Sequence, residues 1–142
     1  MPDSPPDRLK SEFLLELKLD VDYPAVAVAL TAAGERKIFT VRGGTCEGPL
    51  GRGIVLPGGT DWGLREADEL FRLDVRAMLQ MDDGATLSVT YRGLRDLRSG
   101  YWRTVPVFDT AAEKYRWLTR VICVGIGDKV DSGVNYRIYV VR

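Results

Sequence analysis

The sequence predicts an all-β fold, a closed antiparallel β-barrel with one short helix, and three observations lead there. Period-two alternation of apolar and polar residues recurs in segment after segment. Paired glycines interrupt that alternation without ending it, as the bulges that curl a sheet do. The connections between segments are short, and closure removes the exposed edges such a sheet would otherwise carry. A two-layer sandwich is the alternative with the same signals.

The first eleven residues, rich in proline and polar side chains, read as a loose tail, and residues 12–142 as a single domain. Alternation begins with Phe13, Leu15, Leu17, Leu19, Val21 and Tyr23 on one face and Glu12, Glu16, Lys18, Asp20 and Asp22 on the other, Leu14 being the exception. Pro24 ends this strand. Val26 to Leu30 and Lys37 to Arg42 follow around a turn at Ala33-Gly34-Glu35. Next come two echoes, Gly43-Gly44-Thr45-Cys46-Glu47 and Gly58-Gly59-Thr60-Asp61-Trp62, each placing an acid soon after Gly-Gly-Thr.

From Glu69 to Met81 the residues Phe71, Leu73, Val75, Ala77, Leu79 and Met81 face one way, with Arg72, Asp74, Arg76, Met78 and Gln80 opposite. Asp82-Asp83-Gly84 is a tight hairpin signal, and Ala85 to Arg92 returns antiparallel. Tyr101 to Val107 forms another strand. Thr110-Ala111-Ala112-Glu113 has the spacing of a capping box and predicts the one helix over Glu113 to Arg120. Val121 to Ile126, a turn at Gly127-Asp128, and Val134 to Val141 complete the sheet.

Composition narrows the function. The 142 residues are 45% hydrophobic and 28% charged, the balance of a folded soluble domain. Lys plus Arg equals Asp plus Glu, 20 against 20, so no net charge draws the chain to nucleic acid or an anionic membrane. Neutrality also weakens repulsion between copies, which makes a homo-oligomer plausible. No basic and apolar leader opens the sequence, and no stretch reaches the length of a membrane span, so a cytoplasmic protein with two free thiols, Cys46 and Cys123, is expected.

Histidine is absent. That removes histidine triads, imidazole proton shuttles and the usual zinc and iron sites, and no cofactor or metal is expected. Proton transfer falls to Asp, Glu, Tyr, Lys or water.

Gly48-Pro49-Leu50-Gly51-Arg52-Gly53 lacks the Lys-Ser/Thr ending of a phosphate loop and reads as a turn. Cys46 has no histidine to activate it and reads as a buried thiol. Asp74 and Arg76, two apart on one strand, share a face at about 7 Å. On an outer wall they would be a solvated ion pair; in the lumen they would be a desolvated acid and cation able to hold a substrate oxygen and move a proton. Arg103 among aromatics, Trp62 beside Asp61, and Trp117 on the helix are of the type that lines small-molecule pockets, or else ordinary core with arginines reaching to water.

Gly43-Gly44-Thr45-Cys46-Glu47-Gly48-Pro49, Val55-Leu56-Pro57-Gly58-Gly59-Thr60-Asp61-Trp62, Leu73-Asp74-Val75-Arg76, Asp82-Asp83-Gly84-Ala85, Tyr91-Arg92-Gly93, Tyr101-Trp102-Arg103-Thr104, Tyr115-Arg116-Trp117-Leu118 and Val124-Gly125-Ile126-Gly127 together resemble the DUF3237, or UPF0311, family from about Phe13 onward. Cys46, Tyr91 and Trp102 stand where an aromatic residue, Asn and Phe are usual.

The resemblance implies a barrel of the calycin or allene-oxide-cyclase-like kind, commonly oligomeric, here a dimer or tetramer. It implies further that Asp61, Asp74, Arg76 and Arg103 line one cavity. By analogy of fold the expected function is a cofactor-independent isomerase, cyclase or hydro-lyase acting on a hydrophobic, polyketide-like or aromatic metabolite. Asp74, Arg76 and Asp61 are the catalytic candidates; Arg103, Trp62, Glu47, Tyr91, Trp102 and Trp117 are the substrate-binding ones. The alternative is a carrier with the same pocket and no turnover.

Overall fold

The computed structural model describes residues 6–142; the first five residues of the expected tail lie outside the described residues. Ten strands are present: β1 (Ser11–Val21), β2 (Ala27–Thr31), β3 (Gly34–Gly48), β4 (Gly51–Val55), β5 (Gly59–Arg65), β6 (Leu70–Met81), β7 (Thr86–Asp96), β8 (Trp102–Asp109), β9 (Ile122–Val130) and β10 (Gly133–Val141). Every pairing is antiparallel, and β1 bonds to both β10 and β3, so the sheet closes on itself. β4 and β5 form one interrupted stave between β3 and β6, broken at Leu56-Pro57-Gly58. The barrel therefore has eight staves, with β2 added along the first half of β3.

The alternation in the sequence becomes an inside and an outside. Leu15, Leu17, Leu79, Leu87, Ile138 and Phe108 fill one end of the barrel and are essentially sealed from solvent. Tyr115 and Leu118, from a 3₁₀ helix over Glu113–Arg120, join that same core. The helix stands where the sequence puts it, but the capping box does not form. Thr110 Oγ1 instead donates to the Thr86 carbonyl at 2.7 Å and accepts from the Ala112 N–H at 3.0 Å, leaving Ala112 as the N-cap with no side-chain bond. Among the described residues no helix is long and apolar enough to cross a membrane.

Departures from the expected strands have local causes. Leu14 is the extra residue of a bulge between Phe13 and Leu15, which buries Leu14 and turns Phe13 out against Tyr139, ring centroids 5.6 Å apart. The β1–β3 register slips between Val41 and Gly43, with Arg42 the extra residue, one position before the paired glycines. Gly127 is not a turn residue. β9 runs through it to Val130, and a Cβ at Gly127 would sit 2.5 Å from the Trp102 ring, so the position is glycine to admit the indole. β7 likewise continues beyond Arg92 to Asp96, which carries Arg95 into the barrel.

Candidate active site in the lumen

The end of the barrel opposite the leucine-filled core is hollow, with a cavity of about 330 Å³. The same phase that buries Val75 places Asp61 inside, because the two are direct cross-strand partners on β5 and β6. Phe39 on β3 pairs with Asp61 from the other side and faces the cavity too. Tyr91 on β7, Trp102 on β8 and Tyr136 on β10 form an aromatic box: Tyr91 and Tyr136 meet edge to face at 5.0 Å, Trp102 and Tyr136 at 5.7 Å and 89°. Phe71 is placed beside them by Gly63, where a Cβ would lie 2.1 Å from the ring.

Asp61 is the lumen's carboxylate. Burial among these rings disfavours its charge and pushes its carboxyl up to about 7. The Asp74 carboxylate on the far side of the sheet adds to the rise, while the Asp74 N–H, donating to Asp61 Oδ1 at 3.2 Å, and Arg36 oppose it. The acid is thus half protonated near neutrality, the condition that serves proton transfer in either direction. Burial pushes the Tyr91 and Tyr136 phenols upward, so both remain neutral donors. The Tyr91 hydroxyl and the Trp102 indole N–H are sealed from solvent beside the Tyr136 hydroxyl, and neither meets a well-aligned partner among the described residues. Among the described residues no three His, Cys, Asp or Glu side chains converge as a metal site requires.

Asp61, Tyr91 and Trp102 are therefore brought together. The other expected residues do not join them in the lumen. Leu73 and Val75 face inward, so Asp74 and Arg76 between and beyond them face outward, and the expectation of one cavity shared by Asp61, Asp74, Arg76 and Arg103 is corrected. The Leu73 face looks into the barrel.

Asp74 lies 4.0 Å from its cross-strand partner Arg92. Together with Trp62 and Arg103 it lines an open outer groove of about 830 Å³. Trp62 is half exposed there, and Arg103 lies over Tyr101 at 4.7 Å while donating to the Trp102 carbonyl. Arg76 lies on the same outer wall beside Thr60 and Trp62. Glu47 is exposed at the far end of β3, bonded to Arg52 at 2.6 Å. Trp117 sits outside the leucine-filled end, under Arg142.

The lumen residues that sequence reasoning missed are Lys37, Arg95, Lys129 and Tyr136. Each was accessible to the period-two rule: Tyr136 is in phase with Val134, Ile138 and Val140, and Arg95 with Leu87, Val89 and Tyr91.

A UPF0311 protein of Clostridium acetobutylicum is 27% identical to the chain, covering 90% of it and 91% of that protein. The hydroalkoxylation enzyme phnH of Penicillium herquei is 33% identical over 90% of the chain and 80% of its own length. The crystal structure of a β-barrel-like protein of Acinetobacter baumannii superposes with a TM-score of 0.87 at 27% identity, covering 99% of this chain and 100% of that one. The family model for proteins of unknown function DUF3237 matches residues 9–141, and the chain belongs to that family.

Proposed function

We propose that the chain is an acid–base enzyme that adds an alcohol or water across a carbon–carbon double bond of a small aromatic metabolite, or reverses that addition, inside the lumen. The observation that carries this reading is Asp61: one desolvated carboxyl, raised to about 7, against an aromatic wall. Hydroalkoxylation, the activity named for the Penicillium relative, is chemistry of this kind. A C–O bond forms, the hydroxyl proton leaves oxygen, and a proton arrives on carbon. No electrons are gained or lost overall, so a proton carrier suffices.

In this reading neutral Asp61 delivers the proton to the alkene carbon as the substrate oxygen closes on its neighbour, and the resulting carboxylate recovers the hydroxyl proton. Phe39 and Phe71, half-buried in the lumen, supply the walls that orient the ring. Of the catalytic candidates Asp61 thereby keeps the acid–base role, with Asp74 acting on it through its peptide N–H and the charge of its carboxylate.

The test is incubation in deuterium oxide with phenols carrying an alkenyl side chain, following cyclisation and deuterium on carbon by mass spectrometry. The wild-type chain should place one deuterium per product. Asp61→Asn should slow the reaction by about a hundredfold to ten-thousandfold. Full activity in Asp61→Asn would refute the assignment, and substrates bound but never consumed would make the protein a carrier.

A further inference from the structure

Charge in the lumen is lopsided. Lys37 and Arg95 line it half-buried, and Arg65 and Lys129 stand exposed at its rim, against the one carboxyl, Asp61, that lines it among the described residues. Lys37 is matched by Glu35 at 3.2 Å, whereas among the described residues no carboxylate lies within 4.0 Å of Arg65, Arg95 or Lys129. Two of these cations rest on rings rather than on acids: the Arg95 guanidinium lies 4.1 Å from the Trp102 ring centre, and the Lys129 ammonium 5.1 Å from that of Tyr23. A ring face stabilises a cation yet takes up none of its N–H donors. The cavity thus offers donors and positive charge along walls that are otherwise aromatic. An uncharged apolar ligand would desolvate those groups and return nothing for them.

We propose that the lumen binds a planar aromatic oxyanion, a carboxylate or phenolate on a ring system, with its ring against Phe39 and Phe71 and its negative oxygen between Arg95 and Lys129. This rests on the lumen being the ligand site, as in the function proposed above, but not on turnover. A cavity of about 330 Å³ is at the small end of ligand sites and suits a one- or two-ring compound. Charge-assisted hydrogen bonds would then fix which end of the ring system enters first.

Calorimetric titration with 2-naphthoate and its neutral isostere 2-naphthamide tests this directly. The wild-type chain should bind the naphthoate at least tenfold more tightly. Arg95→Met and Lys129→Met should each cut naphthoate affinity by about tenfold and leave naphthamide affinity within about twofold, which also reports an intact lumen. Arg103→Met, a cation removed from the outer groove, should leave the preference unchanged. Equal affinity for the two probes, no binding of either, a preference that survives both lumen variants, or one lost in Arg103→Met would each overturn the proposal. A chain that prefers naphthoate but moves no deuterium keeps this inference and loses the catalytic one; turnover without the preference does the reverse.

Discussion

Replacing Asp61 by Asn should make the protein more stable at alkaline pH, not less. Folding holds the Asp61 carboxyl at about 7 against an ordinary 3.8. Between those two values the folded chain keeps a proton that the unfolded chain has already released. Stability therefore falls as pH rises through the window, and the whole penalty is in force above pH 7. At 1.36 kcal/mol per decade the interval corresponds to about 4 kcal/mol for a sealed carboxyl. The lumen opens to water at its mouth, so a value of about 2 kcal/mol is expected.

Asparagine has the same size, keeps the Oδ1 that accepts the Asp74 N–H, and carries no charge at any pH. Urea unfolding of both proteins at whole pH steps from 4 to 8 isolates the effect, since every other titrating group cancels in the difference. The variant should gain stability over wild type progressively from pH 4 to pH 7 and level off near about 2 kcal/mol. Parallel stability curves, or a variant that weakens at pH 8, would show that the carboxyl is not desolvated. The acid–base assignment would then fall with it.

Two further outcomes follow from the packing. Gly127→Ala puts a methyl 2.5 Å from the Trp102 ring, in a wall with no slack, so the urea midpoint should drop by the equivalent of about 1–3 kcal/mol and naphthoate binding should be lost; an unchanged melt would mean the indole sits elsewhere. Cys46 and Cys123 are both buried and free, with Cys46 pushed up to about 11 by burial, so an aromatic disulfide reagent at pH 8 should find no fast thiol in the native protein and two after denaturation. Rapid native labelling, or no thiols in denaturant, would contradict this.

Alternation alone carried the phase of the two strands for which it was read, from Leu15 to Val21 and from Phe71 to Met81. It placed Leu73 and Val75 opposite Asp74 and Arg76, and that relation holds. It could not tell which of the two faces is the inside, because an apolar stripe is equally at home in a barrel core or against a partner. Filling the interior with Leu79, Leu87 and Ile138 settles the matter and turns Asp74 outward. Asp61 was legible as an acid beside a glycine pair, yet its desolvation depends on Tyr91 and Tyr136, which reach it from strands far along the chain. Strand ends were the weak point. Stopping β7 at Arg92 and β9 at Ile126 hid Arg95 and Lys129, because glycine at 127 reads as a turn unless one knows that an indole must pass.

Closure of the barrel has a kinetic consequence. The seam is the pairing of β1 with β10, from Ser11 with Val141 to Asp20 with Gly133. No other strand can substitute for β10 there, so the cylinder cannot form until nearly the whole chain is available and a very long loop has been closed. Folding dominated by such distant pairings belongs to the millisecond-to-second range rather than to microseconds. During synthesis β1 must wait with one edge unpaired while the rest emerges. Glu12, Glu16, Lys18 and Asp20, alternating along that waiting strand, keep its exposed face charged until its partner arrives.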